Sequence, residues 1–300
     1  MLWSRFAVPV GWREILKRTG AAIYADDCFG WSAELAYYSF FALFPALLFV
    51  VALVPYLPGQ HLLDAVVSAL SRVVPDEVAV LARRQLNQVE LQSHTGLMTL
   101  GIFGTIWSMS SGVTAIIDTL NQAYHVRDSR PWWRVRLIAV ALTFALLGFG
   151  LTAFVFVLAA PALSSHLAGT LGRGPAFALF SQILGWPIVF LLVVTGVALV
   201  YYFAPDVQQE WIWITPGSVT AATLWLLMSL GLRWYVSQFG TYQKTYGAIG
   251  GVILALLWLY YSGLTLLLGA ELNATIEHAS LYGKNPGEKV PKRPATPPAA

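Results

Sequence analysis

KTYGAIGGVILALLWLYYSGLTLLLGAELN, from Lys244 to Asn273, is the stretch on which the fold turns. No charge interrupts it between Thr245 and Ala270, and then Glu271 and Asn273 close it. At about 1.5 Å per residue, such a helix is long enough to cross a hydrocarbon core of roughly 30 Å. Five other charge-free runs lie upstream: Leu35 to Leu63, Leu91 to Ile117, Leu137 to Gly172, Gly174 to Pro205 and Trp211 to Leu232. Each exceeds the roughly 18 apolar residues that mark a spanning candidate. Hydrophobic residues make up 57% of the chain and charged residues 11%, against about 45–50% and about 25% in soluble domains. A large soluble core would need polar faces at helical spacing, which these runs lack. A porin-like barrel would need short strands of alternating polarity, and nothing in the chain alternates.

The expected fold is an all-α integral membrane protein with six transmembrane helices, an N-terminal interfacial helix and two short amphipathic helices in the first outer loop. Three regions follow. Residues 1–30 form a cytoplasmic arm, 31–274 a six-helix membrane domain with a helical insertion at about 60–94, and 275–300 a Pro-rich tail expected to be disordered. In the arm, Trp12, Ile15, Leu16, Thr19, Ala22 and Ile23 share one helical face with Arg13, Lys17 and Arg18 off it, which suits a helix lying in the membrane interface. Charges recurring through Arg18 argue against a cleavable signal.

Orientation follows from the 18 basic residues. Arg5, Arg13, Lys17 and Arg18 of the arm, Arg127, Arg130, Arg134 and Arg136 of the second loop, and Lys284, Lys289, Lys292 and Arg293 of the tail fall on one side. Only Arg72, Arg83, Arg84, Arg173, Arg233 and Lys244 fall on the other. The positive-inside bias then puts both termini in the cytoplasm. The loop from Ala204 to Glu210 strains this reading, because it should be inside yet holds no Lys or Arg. The net charge of +3 belongs to this asymmetry and not to nucleic-acid binding.

Within the spans, the informative residues are those that lipid does not tolerate. Pro45 removes a backbone hydrogen bond and should kink the first span. Glu34, Asp118, Asn121, Glu271 and Asn273 all fall at the inner-leaflet level on the six-span reading. They form either one polar vestibule or a set of separate interfacial end-caps. Arg134, Arg136 and Arg233 are candidate contacts for anionic headgroups. The single cysteine, Cys28, excludes an internal disulfide and a thiolate metal cage. The five histidines are scattered, no metalloenzyme or phosphate-loop motif occurs, and nothing calls for a cofactor or metal. Membrane lipids and an amphiphilic substrate are the expected partners.

The chain also repeats itself. Laid over Gly247 to Thr265, the segment Gly96 to Thr114 aligns Trp107 with Trp258, Ser111 with Ser262, Gly112 with Gly263 and Thr114 with Thr265. After a one-residue slip, Asn121 meets Asn273. Both segments run outside to inside on the six-span reading, so the repeat is parallel.

AELAYYSFFALFP (Ala33 to Pro45), LNQAYHVRDSRPWWR (Leu120 to Arg134), Pro216-Gly217 with Leu224-Trp225, and the segment Tyr242 to Ala274 resemble the YihY/BrkB family of bacterial inner-membrane proteins. The match runs in order through most of Trp31 to Ala274. It implies a six-helix bundle with cytoplasmic ends, an association with envelope integrity, and suspected export of lipid-type molecules. An older label calls members ribonuclease BN. Three functions stay open at this point: a transporter or flippase for a lipid or other amphiphile, a non-transporting structural or assembly protein of the membrane, and a ribonuclease.

Overall fold

A computed structural model describes residues 10–53, 95–170, 175–208, 215–238, 241–280 and 284–290, and within 44–53, 95–105, 154–170, 175–186 and 241–249 and at 237 it describes the backbone alone. Every regular element among these residues is helical: α1 (Trp12–Ala25), α2 (Cys28–Leu53), α3 (Thr95–Ala123), α4 (Trp132–Thr170), α5 (Pro175–Phe203), α6 (Pro216–Gln238) and α7 (Thr241–Ala279). Among the described residues three stretches are long and apolar enough to cross a membrane: Trp132–Ala153, Pro216–Val236 and Gly250–Ala279. Pro187–Phe203 of α5 adds a shorter apolar stretch. The two amphipathic helices expected at 60–94 lie outside the described residues. Pro45 falls inside α2, but its side-chain surroundings lie outside them too.

The hydrogen bonds fix which helix ends lie together. Cys28, at the start of α2, meets Glu271 near the end of α7, and Asn273 bonds Gly217 at the start of α6. Asn121, near the end of α3, bonds the loop that follows α5. Arg130, just before α4, reaches Ala204. We call this the near end. Helix α2 runs antiparallel to both α3 and α7, so the two repeat segments are parallel.

Helix α1 packs where the sequence places a membrane-interface face. Ile15 is fully buried against Leu272 and Ile276 of α7, a burial that contributes about 1.5–3 kcal/mol. Trp12 and Leu16 of the same face point outward. The turn into α2 depends on Asp27, whose positive φ is one that Asp adopts more readily than most residues. Its carboxylate accepts the Gly30 N–H at 3.3 Å, and a side chain at Gly30 would collide with it. That contact satisfies one free donor of the first turn.

Close approach defines the pairing of α6 with α7. A Cβ at Gly217 would run into the Gly269 carbonyl, and one at Gly269 would stand 2.5 Å from the Gly217 carbonyl. Only glycine allows the two backbones to touch here. Two turns further along, Trp225 Nε1 donates to Ser262 Oγ at 3.0 Å and Trp258 Nε1 donates to Ser229 Oγ at 3.2 Å. These reciprocal bonds pin the antiparallel register.

The tail corrects the expectation of disorder from residue 275. Helix α7 continues to Ala279 because Ile276 has Ile15 to pack on. Lys284 is 1% exposed, with its ammonium 2.6 Å from Glu277 and 2.7 Å from the Gln208 carbonyl. Residues 291–300 lie outside the described part.

Candidate functional site

In α3 the Ser111 hydroxyl donates to the Trp107 carbonyl at 2.9 Å. In α7 the matching Ser262 hydroxyl donates to the Trp258 carbonyl at 2.8 Å. Each serine also accepts a donor from the helix beside it, and there the halves part. Ser262 receives the Trp225 indole, inside the closed α6–α7 interface. Ser111 receives the Arg136 guanidinium of α4 at 3.1 Å. The same guanidinium donates to the Trp107 carbonyl at 2.7 Å and to Thr114 Oγ1 at 3.3 Å. It lies over the Trp107 ring, 3.7 Å from its centroid, where the ring quadrupole attracts a cation. Trp107 is 59% exposed. Arg136 Nε is buried without an acceptor, and among the described residues no carboxylate lies within ion-pair distance of Arg136.

The five residues expected to share a vestibule differ in exposure and in partners. Glu34 and Asp118 are exposed, near enough for their charges to act on each other. Glu271 is 1% exposed, its carboxylate accepting from the Cys28 thiol at 3.7 Å. Asn121 and Asn273 have both ends of their amides occupied. Asn121 donates to Asp128 at 3.1 Å and accepts the Asp206 N–H at 2.7 Å. Asn273 donates to Thr215 Oγ1 at 3.0 Å and accepts the Gly217 N–H at 2.8 Å. The two asparagines are clamps that tie α3 and α7 to the connections around α6. Of the three arginines, Arg134 is exposed beside Trp133, 5.6 Å from its ring, and Arg136 is the one held in place. Arg233 is exposed about 25 Å along α6 from its start, taking 1.5 Å per residue, so it belongs to the far end.

A polar clasp closes the near end, built partly from residues whose roles the sequence does not reveal. Arg130 forks onto Asp128 at 2.5 and 2.9 Å and bonds the Ala204 carbonyl at 2.8 Å. Asp206 accepts from the Ser129 N–H at 2.9 Å and pairs with Lys289 of the tail. Lys289 also donates to Ser129 Oγ at 2.7 Å. Burial would raise both carboxyls, but their donors outweigh it. Arg130 and Asn121 hold Asp128 below the usual carboxylate range, while Lys289 and Ser129 hold Asp206 at about 2. Residues 204–208, the described part of the loop without basic residues, therefore have cations after all, lent by Arg130 and the tail. Beside the clasp is a recess of about 480 Å³, lined by Arg130, Tyr202, Phe203, Asp206 and Gln208 among others.

The profile of the Virulence factor BrkB family matches residues 21–294. The chain belongs to the BrkB family. Among its relatives, the ribonuclease-like protein YfkH of Bacillus subtilis (strain 168) is 32% identical over 256 residues, covering 85% of this chain and 92% of that protein. The UPF0761 membrane protein of Tolumonas auensis is 25% identical over 278 residues, covering 85% and 84% respectively. The UPF0761 membrane protein azo3165 of Azoarcus sp. is 28% identical over 290 residues, covering 93% and 68%. No solved structure matches. In this BrkB-family membrane protein the motif Leu120 to Arg134 supplies Asn121, Asp128, Ser129 and Arg130, so its polar letters build the clasp.

A second near-end cluster escaped the sequence reading. The Asp26 carboxylate faces His125 Nε2 at 3.5 Å, and the His125 ring stacks on His278 at 6.2 Å between centroids. Burial pushes the Asp26 carboxyl up, and His125 draws it partway back. The neighbours come from the α1–α2 turn, the α3–α4 loop and the last turn of α7, so no local pattern announces them. Among the described residues no group of three or more His, Cys, Asp or Glu side chains is placed to hold a metal ion.

Proposed function

We propose that this protein is a six-span transporter or flippase-like protein for a lipid or other amphiphile, with both termini in the cytoplasm of a bacterial inner membrane, and that it is not an enzyme. The observation that carries the reading is the near-end recess of about 480 Å³. Its lining mixes residue types: Tyr202, Phe203, Pro205 and Val207 are apolar or aromatic, while Arg130, Asp206 and Gln208 are charged or polar. A molecule with an apolar chain and a polar head fits such a lining, since the chain gains about 0.8 kcal/mol per buried CH₂ and the head keeps polar partners. The test is leaflet exchange of a fluorescent anionic lipid in liposomes holding the purified protein. Exchange above protein-free liposomes supports transport; an unchanged leaflet distribution over time ends it.

One observation favours the structural alternative, in which the protein braces the membrane and moves nothing. The α6–α7 pair is sealed by the Gly217–Gly269 contact and two indole bonds. The ribonuclease-like name of one relative has a direct test as well, because RNA cleavage that vanishes on replacing named residues would overturn both readings. Orientation is checked in a Cys28→Ala background. Single cysteines at positions 65 and 299 should label from opposite sides with an impermeant maleimide, and same-side labelling would refute the six-span arrangement.

A further inference from the structure

Arg136 carries a positive charge that the described protein does not answer. Its fork is held by three neutral acceptors: the Trp107 carbonyl, Ser111 Oγ and Thr114 Oγ1. These fix its direction without matching its charge. It belongs to the stretch Trp132–Ala153, one turn beyond Trp132 and Trp133, which are 74% and 53% exposed. Exposed tryptophans at a helix end mark the interface where headgroups meet acyl chains. Trp107, under the guanidinium, is exposed too. A fixed cation at this depth is costly unless an anion reaches it, and the anion native to this depth is a lipid phosphodiester. Three of the five Arg136 N–H groups are taken by the three neutral acceptors and Nε is buried, so a phosphate oxygen is met by the one remaining N–H and by the charge itself.

We infer that Arg136, braced on Trp107 and Ser111, binds the headgroup phosphate of an anionic phospholipid. The glycerol and upper acyl chain lie against the exposed indole. Arg134 is not part of the site, because residues two apart on a helix do not share a face. The stoichiometry is one lipid per chain, since the corresponding place on α7 is filled by Trp225. This site stands or falls separately from the transport reading. Binding without leaflet exchange keeps the site and removes the transporter, while exchange that survives loss of binding removes this lipid as cargo.

Native mass spectrometry of the detergent-purified protein tests the inference, with phosphatidylglycerol and phosphatidylcholine of identical chains as ligands. The wild type should retain one phosphatidylglycerol in preference to phosphatidylcholine. Arg136→Gln should lower that retention by at least about tenfold, the scale of losing a charge-assisted contact. Arg136→Lys should fall between the two, and Arg233→Gln should match the wild type. Equal retention by wild type and Arg136→Gln overturns the site, as does equal binding of the two lipids. Displacement by excess inorganic phosphate also overturns it, in favour of a free-phosphate site. A second measurement does not depend on the folding of an arginine variant: brominated phosphatidylglycerol should quench the wild type more than Trp107→Phe. Equal quenching removes the lipid from Trp107 and the proposal with it.

Discussion

In α3, the serine one turn past a tryptophan takes its second hydrogen bond from an arginine at an exposed surface. In α7, the aligned serine takes it from another tryptophan inside a sealed interface. The local part is the same in both helices, a hydroxyl bonded back to the carbonyl four residues earlier. The asparagines at the near end repeat the comparison. Asn121 is tied into a network of Asp128, Arg130, Asp206 and Lys289, whereas Asn273 holds neutral partners, Gly217 and Thr215. Equivalent segments thus acquire opposite character from what packs beside them. At these aligned positions the partners on the α7 side are neutral, and those on the α3 side are charged.

Glycine substitutions strain the comparison hardest. Gly269→Ala puts a Cβ 2.5 Å from the Gly217 carbonyl and into the Tyr201 hydroxyl. Neither yields easily, since one is backbone and the other donates to the Leu266 carbonyl at 2.5 Å. Destabilisation of about 1–3 kcal/mol or more is expected, read as a lower melting temperature and poor monomer recovery in detergent. Gly112→Ala, in the α3 half, meets among the described residues only Ala42 Cβ at 3.7 Å and should be close to neutral. Gly263→Ala, its repeat partner, should fall between them because Leu35 Cβ lies 3.2 Å away. Equal melting temperatures for Gly269→Ala and Gly112→Ala would dissolve the distinction between the two halves.

The paired serines give a smaller effect. Ser262→Ala strands the Trp225 indole N–H between two helices and should cost about 1 kcal/mol. Ser111→Ala leaves Arg136 with the Trp107 carbonyl and Thr114, so thermal stability should change less than in Ser262→Ala. If Ser111→Ala proves the more destabilising, the α3 half is a packing interface after all.

Acid should separate the two asparagine clamps with the smallest, most local effect. Asp206 sits at about 2, below the ordinary carboxylate value of about 3.9. A depressed value means that its pairing stabilises the fold fully above about pH 4 and is lost as pH falls through about 2. Hydrogen exchange at residues 204–208 and 284–290 should rise across that window, while the Thr215 to Gly217 clamp stays protected. Uniform loosening at both ends would show that the clasp does not act as its own unit.

The membrane class was legible because lipid permits so few solutions: apolar runs of spanning length with satisfied backbones announce themselves in one dimension. The clasp was half legible. The polar letters of Asp128, Ser129 and Arg130 stood out beside an apolar chain, and the loop without basic residues was a visible anomaly. Its resolution by Lys289, more than eighty residues downstream of Asp206, was not visible. Common depth grouped Glu34, Asp118, Asn121, Glu271 and Asn273, but depth constrains only one of three coordinates. Rotation of each helix about its axis, which sends Glu34 outward and Glu271 inward, depends on what the neighbours bury.

By itself, then, the sequence determined a helical membrane protein with parallel repeat segments and the residue types of its polar ends. Hydrophobic run length, charge position and hydroxyls spaced to bond back along a helix are local properties, readable without partners. Only tertiary structure decided which serine faces an arginine, which glycine touches a backbone and which charge lacks a counterion. Those outcomes rest on side chains from helices far apart in sequence meeting at distances of a few ångströms, and no periodicity encodes such meetings.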